Sequence, residues 1–162
     1  MFQFDLEKKT ENSHFSQDKK WDVLVVGEGP GGLNAALYAK RKGLDVGIIT
    51  DEVGGQLHNT TEVDNYLGFS LVEGKELSDK FLTHVQNLDI PILSHVFVTN
   101  VQKVKEDFIL DTTDGKTLRS KVVIIATGGA PRKLDVPGEA TLSNKGVSYC
   151  TTCDAPFFKD KH

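Results

Sequence analysis

Cysteine is scarce in this chain. Its 162 residues hold only two, too few for a disulfide scaffold and too few for a structural zinc site, which needs four clustered Cys or His ligands. The five histidines do not make up the shortfall: His14, His58, His84, His95 and His162 are scattered and unpaired, each reads as an ordinary surface or core residue, and no metal is expected. Positive charge is also short. Nineteen Lys and Arg against 23 Asp and Glu leave a formal net charge of -4, which argues against a nucleic-acid or anionic-membrane partner, since both require a basic surface. No apolar run is long enough to span a bilayer, and the first residues lack the basic-then-apolar layout of a secretory signal. A cytosolic location is the expectation. Internal repeats and low-complexity tracts are absent as well.

What the chain does have is glycine, 15 residues of it, and the positions matter more than the number. Residues 1–20 (MFQFDLEKKTENSHFSQDKK) are polar and without sustained periodicity, and read as a poorly ordered arm, or alternatively as a short docking segment using Phe2, Phe4 and Leu6. From Trp21 to Val26 the chain is almost continuously apolar, as expected of a buried parallel strand. Gly27-Glu28-Gly29-Pro30-Gly31-Gly32 follows, then a helical stretch with Leu33, Ala36, Leu37 and Lys40 on one period and Gly43 placed to end it. Leu44 to Thr50 reads as a second strand and ends in Asp51-Glu52. Together these make a complete βαβ unit.

Gly27, Gly29 and Gly32 match G-x-G-x-x-G in the strand–turn–helix context that gives the pattern meaning. Gly27 serves the tight turn, Gly29 lets a pyrophosphate approach the backbone, and Gly32 lets the helix sit close to the sheet. The phosphates of a dinucleotide would lie on the helix N-terminus, where free N–H groups favour negative charge. Asp51 or Glu52 would accept hydrogen bonds from a ribose, the other being a solvated loop carboxylate.

Residues 53–69 (VGGQLHNTTEVDNYLGF) follow neither period, and so long an irregular stretch inside a compact domain is usually functional. Within it, Gly54-Gly55-Gln56 has the form of a surface turn. Its place just beyond the second strand favours another reading, a backbone that passes close to a flat ligand beside an amide able to donate and accept. A helix is expected over 72–88, with Leu77, Phe81, Leu82, Val85 and Leu88 buried. Strand signals at 92–98, 101–105, 108–112 and 117–119, with an Asp114-Gly115 turn, suggest a small β-meander. Residues 121–126 form another apolar strand, closed by Thr127-Gly128; this Ala126-Thr127-Gly128 edge is where open α/β folds bind ligands, although a core strand and its turn would look the same.

The two cysteines stand together as Cys150-Thr151-Thr152-Cys153, with Asp154 next. A CxxC pair suits reversible disulfide chemistry, because one thiol can attack while the other waits at closing distance to resolve the mixed disulfide. Asp154 is placed to move a proton as a thiolate leaves, or to cap a short turn after it.

With these pieces in this order, the chain resembles the low-molecular-weight thioredoxin reductase family, including the related flavoprotein reductase component of alkyl hydroperoxide reductase. The resemblance rests on residues 27–32, 54–56, 61–66 (TEVDNY), 126–128 and 145–154 (KGVSYCTTCD), and runs from about Trp21 onward. It implies a Rossmann-like α/β FAD-binding fold, a parallel sheet with helices plus a small β-meander. It also implies a division into an arm (1–20), an FAD-binding domain (21–140) and a CxxC segment (141–162). FAD would bind at Gly27, Gly29, Pro30, Gly31, Gly32, Asp51, Glu52, Gly54, Gly55, Gln56, Asn65, Val98, Ala126, Thr127 and Gly128, with Gln56 and Asn65 near the flavin. NAD(P)H would reduce the flavin and the flavin the disulfide. Cys153 would be the flavin-side sulfur, Cys150 the one that attacks a thioredoxin-like or peroxiredoxin-like protein, and Asp154 the acid.

The sequence departs from the family in three ways. A second glycine loop and a closing Gly-Asp motif are missing, so these residues are expected to be a fragment of a reductase, a split subunit served by a second polypeptide or a homodimer, or a redox-sensing FAD-binding module. Glu28 puts a negative charge inside the phosphate loop and is expected to point away from a pyrophosphate. Ala155 stands where the family often has glycine. A nicotinamide-binding dehydrogenase would use the same loop but would leave the CxxC and Gly-Gly-Gln without a role.

Overall fold

The computed structural model describes residues 15–58, 60–130, 132–143, 145–150 and 159. Cys153 and Asp154 lie outside them. Contacts divide the chain into two units, Met1–Gly128 and Gly129–His162.

The first unit is built on one six-stranded sheet in the order β3-β2-β1-β6-β5-β4. Strand β1 (Lys20–Val26) lies at its centre, pairing in parallel with β2 (Val46–Ile49) on one side and β6 (Thr117–Ile125) on the other. It is apolar on both faces because both are covered. Val23 and Val25 join a cluster with Leu33, Ala36 and Ala39 of helix α1 (Pro30–Arg41) and Val85 of α3 (Gly74–Gln86), while Leu24 joins Phe15, Trp21, Leu110 and Leu118. Helix α1 begins with Pro at its first position, where the missing N–H costs nothing, and ends with Lys40 and Arg41 in the last turn ahead of Gly43. A short helix α2 (Gly55–His58) precedes α3. On the outer side of α3, Lys75–Asp79 and Lys80–Glu76 form exposed i,i+4 ion pairs, worth a few tenths of a kcal/mol each.

Three features differ from the pattern read in the sequence. Phe15 lies in the stretch read as an arm, yet it is buried, with its ring 4.8 Å from that of Trp21, whose indole N–H donates to the Ser16 carbonyl. The expected strand over 92–98 shrinks to β3 (Ile92–Leu93), because the chain turns at His95 and tucks the Val96 N–H onto the Thr50 carbonyl; β4 (Val98–Val104) then runs along the sheet edge, its pairing shifted in register between Val98 and Asn100. The segments 117–119 and 121–126, read as separate strands, are one. The polar run Arg119-Ser120-Lys121 breaks the apolar pattern but not β6, since Ser120 is fully buried and its hydroxyl donates to the Val122 carbonyl at 2.6 Å. Continuous β6 therefore pairs antiparallel with β5 (Asp107–Thr112) and parallel with β1, which makes the meander part of a single mixed sheet.

The second unit contains one short helix, α4 (Glu139–Leu142), among its described residues. The Glu139 carboxylate is buried and accepts from the Leu134 and Asp135 backbone N–H groups at 2.8 and 2.7 Å. No helix among the described residues is long and apolar enough to cross a membrane.

Candidate functional site

The site starts from where parallel strands end. The turn after β1 and the turn after β6 meet at the same sheet edge: the Gly27 N–H donates to the Ile49 carbonyl of β2, and the Ala126 N–H to the Val26 carbonyl of β1, both at 2.8 Å. Gly27 sits at φ 109°, and a β-carbon there would stand 2.3 Å from the Ala126 carbonyl oxygen. Only glycine turns this corner. Gly32 is required for a different reason, since a β-carbon on it would come within 2.0 Å of the Gly27 carbonyl oxygen and push α1 off the loop.

Gly29 and Gly31 are the opposite case. A β-carbon on either would meet nothing within 4 Å, so the fold itself does not demand glycine at these positions. Gly29 is the N-cap of α1, no side chain caps the helix, and its first turn holds no acidic residue. The first helical hydrogen bond runs from the Leu33 N–H to the Gly29 carbonyl, at 3.0 Å. The N–H groups ahead of it face a cradle open to a ligand, and the helix dipole favours an anion there.

The Gly54-Gly55-Gln56 segment comes to this same place. A β-carbon on Gly55 would lie 3.4 Å from the Gly29 Cα, so the two backbones nearly touch. Gly54 is buried at φ 83°, wedged against His58 and Ser78 of α2 and α3. Of the two acids after β2, Asp51 is half-buried and Glu52 exposed; the turn that presents them is held by the Thr50 hydroxyl, which donates to the Glu52 carbonyl at 2.7 Å. Thr50 and Ser78 are site-shaping residues that the sequence pattern does not single out. The hydroxyl of a Thr at a strand end is the available signal for the first; Ser78 on the buried side of α3 offers none.

Asn65 is exposed on a loop closed by paired Val63–Val72 hydrogen bonds of 2.8 and 3.0 Å. Tyr66 pins this loop to α3 through a ring contact with Phe81 at 5.3 Å. Val98 opens β4 and packs into the sheet's second cluster. Thr127 and Gly128 are exposed just past β6. In the second unit, Cys150 is disulfide-bonded and half-buried, and its N–H donates to the Ser148 hydroxyl at 3.2 Å.

Glu28 does not turn outward to solvent. It is 2% exposed, Oε2 has no hydrogen-bond partner among the described residues, and burial pushes its carboxyl up to about 7. A buried carboxyl without a partner is stable as the neutral acid and costly as the anion.

Comparison with known proteins follows the same outline. A family model described as pyridine nucleotide-disulphide oxidoreductase matches residues 21–162. The chain is 40% identical over 149 residues to an alkyl hydroperoxide reductase subunit of Staphylococcus aureus (strain NCTC 8325 / PS 47), covering 92% of this chain and 29% of that protein. Among solved structures it is similar to thioredoxin reductase from Streptococcus pyogenes MGAS5005, with a TM-score of 0.78 at 38% identity over 87% of this chain and 46% of that one. It is also similar to a ferredoxin-flavin thioredoxin reductase from Clostridium acetobutylicum, with a TM-score of 0.66 at 35% identity, covering 87% of this chain and 48% of that one. The chain thus spans less than half the length of these relatives.

Proposed function

Because the chain belongs to the pyridine nucleotide-disulphide oxidoreductase family, we propose that it is the FAD-binding and disulfide-bearing part of a thioredoxin reductase-like flavoprotein. One observation carries the reading: Gly29 opens onto free space at an uncapped helix N-terminus while the Gly55 backbone lies directly beside it. Such a cradle suits a pyrophosphate with a flat ring system continuing past the Gly-Gly-Gln segment.

In this reading Gly29, Pro30, Gly31 and Gly32 hold the pyrophosphate, with Gly27 shaping the turn. Asp51 or Glu52 takes the adenosine ribose, Gly54, Gly55, Gln56 and Asn65 flank the flavin, and Val98, Ala126, Thr127 and Gly128 complete the binding edge. When bound, FAD accepts a hydride from NAD(P)H and delivers two electrons to a disulfide. The Cys150–Cys153 disulfide gains those two electrons and two protons and becomes two thiols. The Cys150 thiolate then attacks the disulfide of a thioredoxin-like or peroxiredoxin-like protein, forming one mixed disulfide and releasing one thiolate, and Cys153 resolves it by re-forming the internal disulfide. Asp154 supplies the proton to the leaving thiolate.

The test is reconstitution with FAD followed by anaerobic dithionite titration. A yellow protein should take up about four electrons per chain, two for flavin and two for the disulfide, and about two in Cys150→Ser. A protein that stays colourless and takes up no FAD sinks the reading.

A further inference from the structure

We propose that Glu28 enters the FAD complex as the neutral carboxylic acid, so that binding the dinucleotide at the glycine loop is coupled to binding a proton. This rests on the flavin reading above and adds to it a residue that sets the pH range of cofactor uptake.

Three observations converge. Glu28 is the second residue of the Gly27–Gly32 loop, directly before the N-cap Gly29. Its side chain is enclosed, 2% exposed, and Oε2 has neither a donor nor water-accessible surface. The loop it belongs to is the one whose open N–H cradle suits a doubly negative pyrophosphate. Burial already disfavours the Glu28 anion in the free protein, and a pyrophosphate bound on the same loop adds like-charge repulsion, the term that couples binding to the proton. The neutral acid removes both terms and turns the carboxyl into a hydrogen-bond donor.

No nearby charge among the described residues offers another route to neutrality. On β1 the charged groups are Lys20 and Asp22 at its start, and on β6 Arg119 and Lys121 lie opposite that start, Arg119 in register with Lys20 and Lys121 paired with Asp22; on α1 they are Lys40 and Arg41 in the last turn. Asp51 and Glu52 follow β2, and His58 lies in α2 against Gly54. Burial is the only cause behind the raised carboxyl of Glu28, with no contribution from any of these groups.

The sign follows from linkage. Below about pH 7 Glu28 is already neutral in the free protein and binding needs no proton; above it, the carboxylate must first be protonated. The dissociation constant for FAD should therefore rise about fivefold from pH 7 to 8, and about tenfold from pH 6 to 8.

The experiment is calorimetric titration of FAD into the protein and into Glu28→Gln, at about pH 6 and about pH 8, each in two buffers of different ionisation enthalpy. The expected result is uptake of close to one proton at the higher pH, none at the lower, and none at either pH in Glu28→Gln, which should bind FAD about tenfold more tightly than the parent at the higher pH. If Glu28→Gln does not fold, the parent's proton count decides alone. Tight FAD binding with no proton uptake overturns the proposal and leaves the flavoprotein reading standing. Uptake that persists in Glu28→Gln assigns the proton to another group such as His58 and also overturns it. Failure of both proteins to bind FAD at any pH overturns the flavin reading and the proposal together.

Discussion

Gly55 backs onto Gly29: a β-carbon on the first would stand 3.4 Å from the Cα of the second. The two glycines are far apart in sequence and belong to different motifs, one opening α1 and the other opening α2. Their contact makes a single surface out of the phosphate cradle and the Gly-Gly-Gln segment. It also separates glycines that the fold requires from glycines that a ligand would require.

Gly29→Ala and Gly32→Ala should therefore fail in different ways. At Gly29 the new methyl meets nothing in the fold, and the loss at an N-cap is held to about 1 kcal/mol. Thermal unfolding should change little while FAD affinity falls by about tenfold or more, because the methyl occupies the space of the pyrophosphate. At Gly32 the methyl meets backbone at 2.0 Å, which cannot move aside, and the cost should reach about 3 kcal/mol. Denaturant melts of the two variants, with FAD fluorescence quenching, separate the roles.

Glu28 should leave its mark on the protein without any ligand. Its carboxyl is raised from 4.5 to about 7 in the folded state, so between those values the folded chain binds more protons than the unfolded one. Its contribution is fully present below about pH 4.5, falls as pH rises, and is lost above about pH 7. The difference is of the order of 3 kcal/mol. Urea melts from pH 5 to 8 should show this decline in the parent and not in Glu28→Gln.

Phe15→Ala tests whether the residues before β1 belong to the fold. The ring is buried against Trp21, and a β-carbon on Gly47 would lie 2.8 Å from its Cε2. Losing it should cost about 3 kcal/mol, read as a lower urea midpoint at unchanged slope. A change within about 0.5 kcal/mol would mean that the segment contributes no packing.

Glu139→Ala tests the second unit alone. The carboxylate satisfies two backbone N–H groups, those of Leu134 and Asp135, and without it each loses a charge-assisted bond worth about 1.5–3 kcal/mol. Amide exchange at these two positions should speed up by about tenfold or more. Glu139→Gln, which keeps one acceptor oxygen, should fall between.

Much of the fold was legible because the relevant signals are local. Trp21 to Val26 reads as a buried strand from its apolar run, and Gly27 to Gly32 followed by Leu33, Ala36 and Lys40 reads as a loop opening a helix. The long strand β6 was not legible, because Ser120 is polar by composition and its burial depends on bonding its hydroxyl within the strand, to the Val122 carbonyl. The length of β3 was not legible either. It is set by the pairing of Val96 with Thr50, a contact between distant segments.

The sequence by itself determined the βαβ order, the glycine spacing, the CxxC pair and hence the family, since each is a matter of residue type at short range. The tertiary structure decided which glycines are structural, which motifs share a surface, and that Glu28 is enclosed with no hydrogen-bond partner for its Oε2 among the described residues. The physical reason is that burial and contact are properties of what closes over a residue. For the Gly27–Gly32 loop the covering pieces arrive from the ends of β2 and β6 and from Gly55, all remote in the chain.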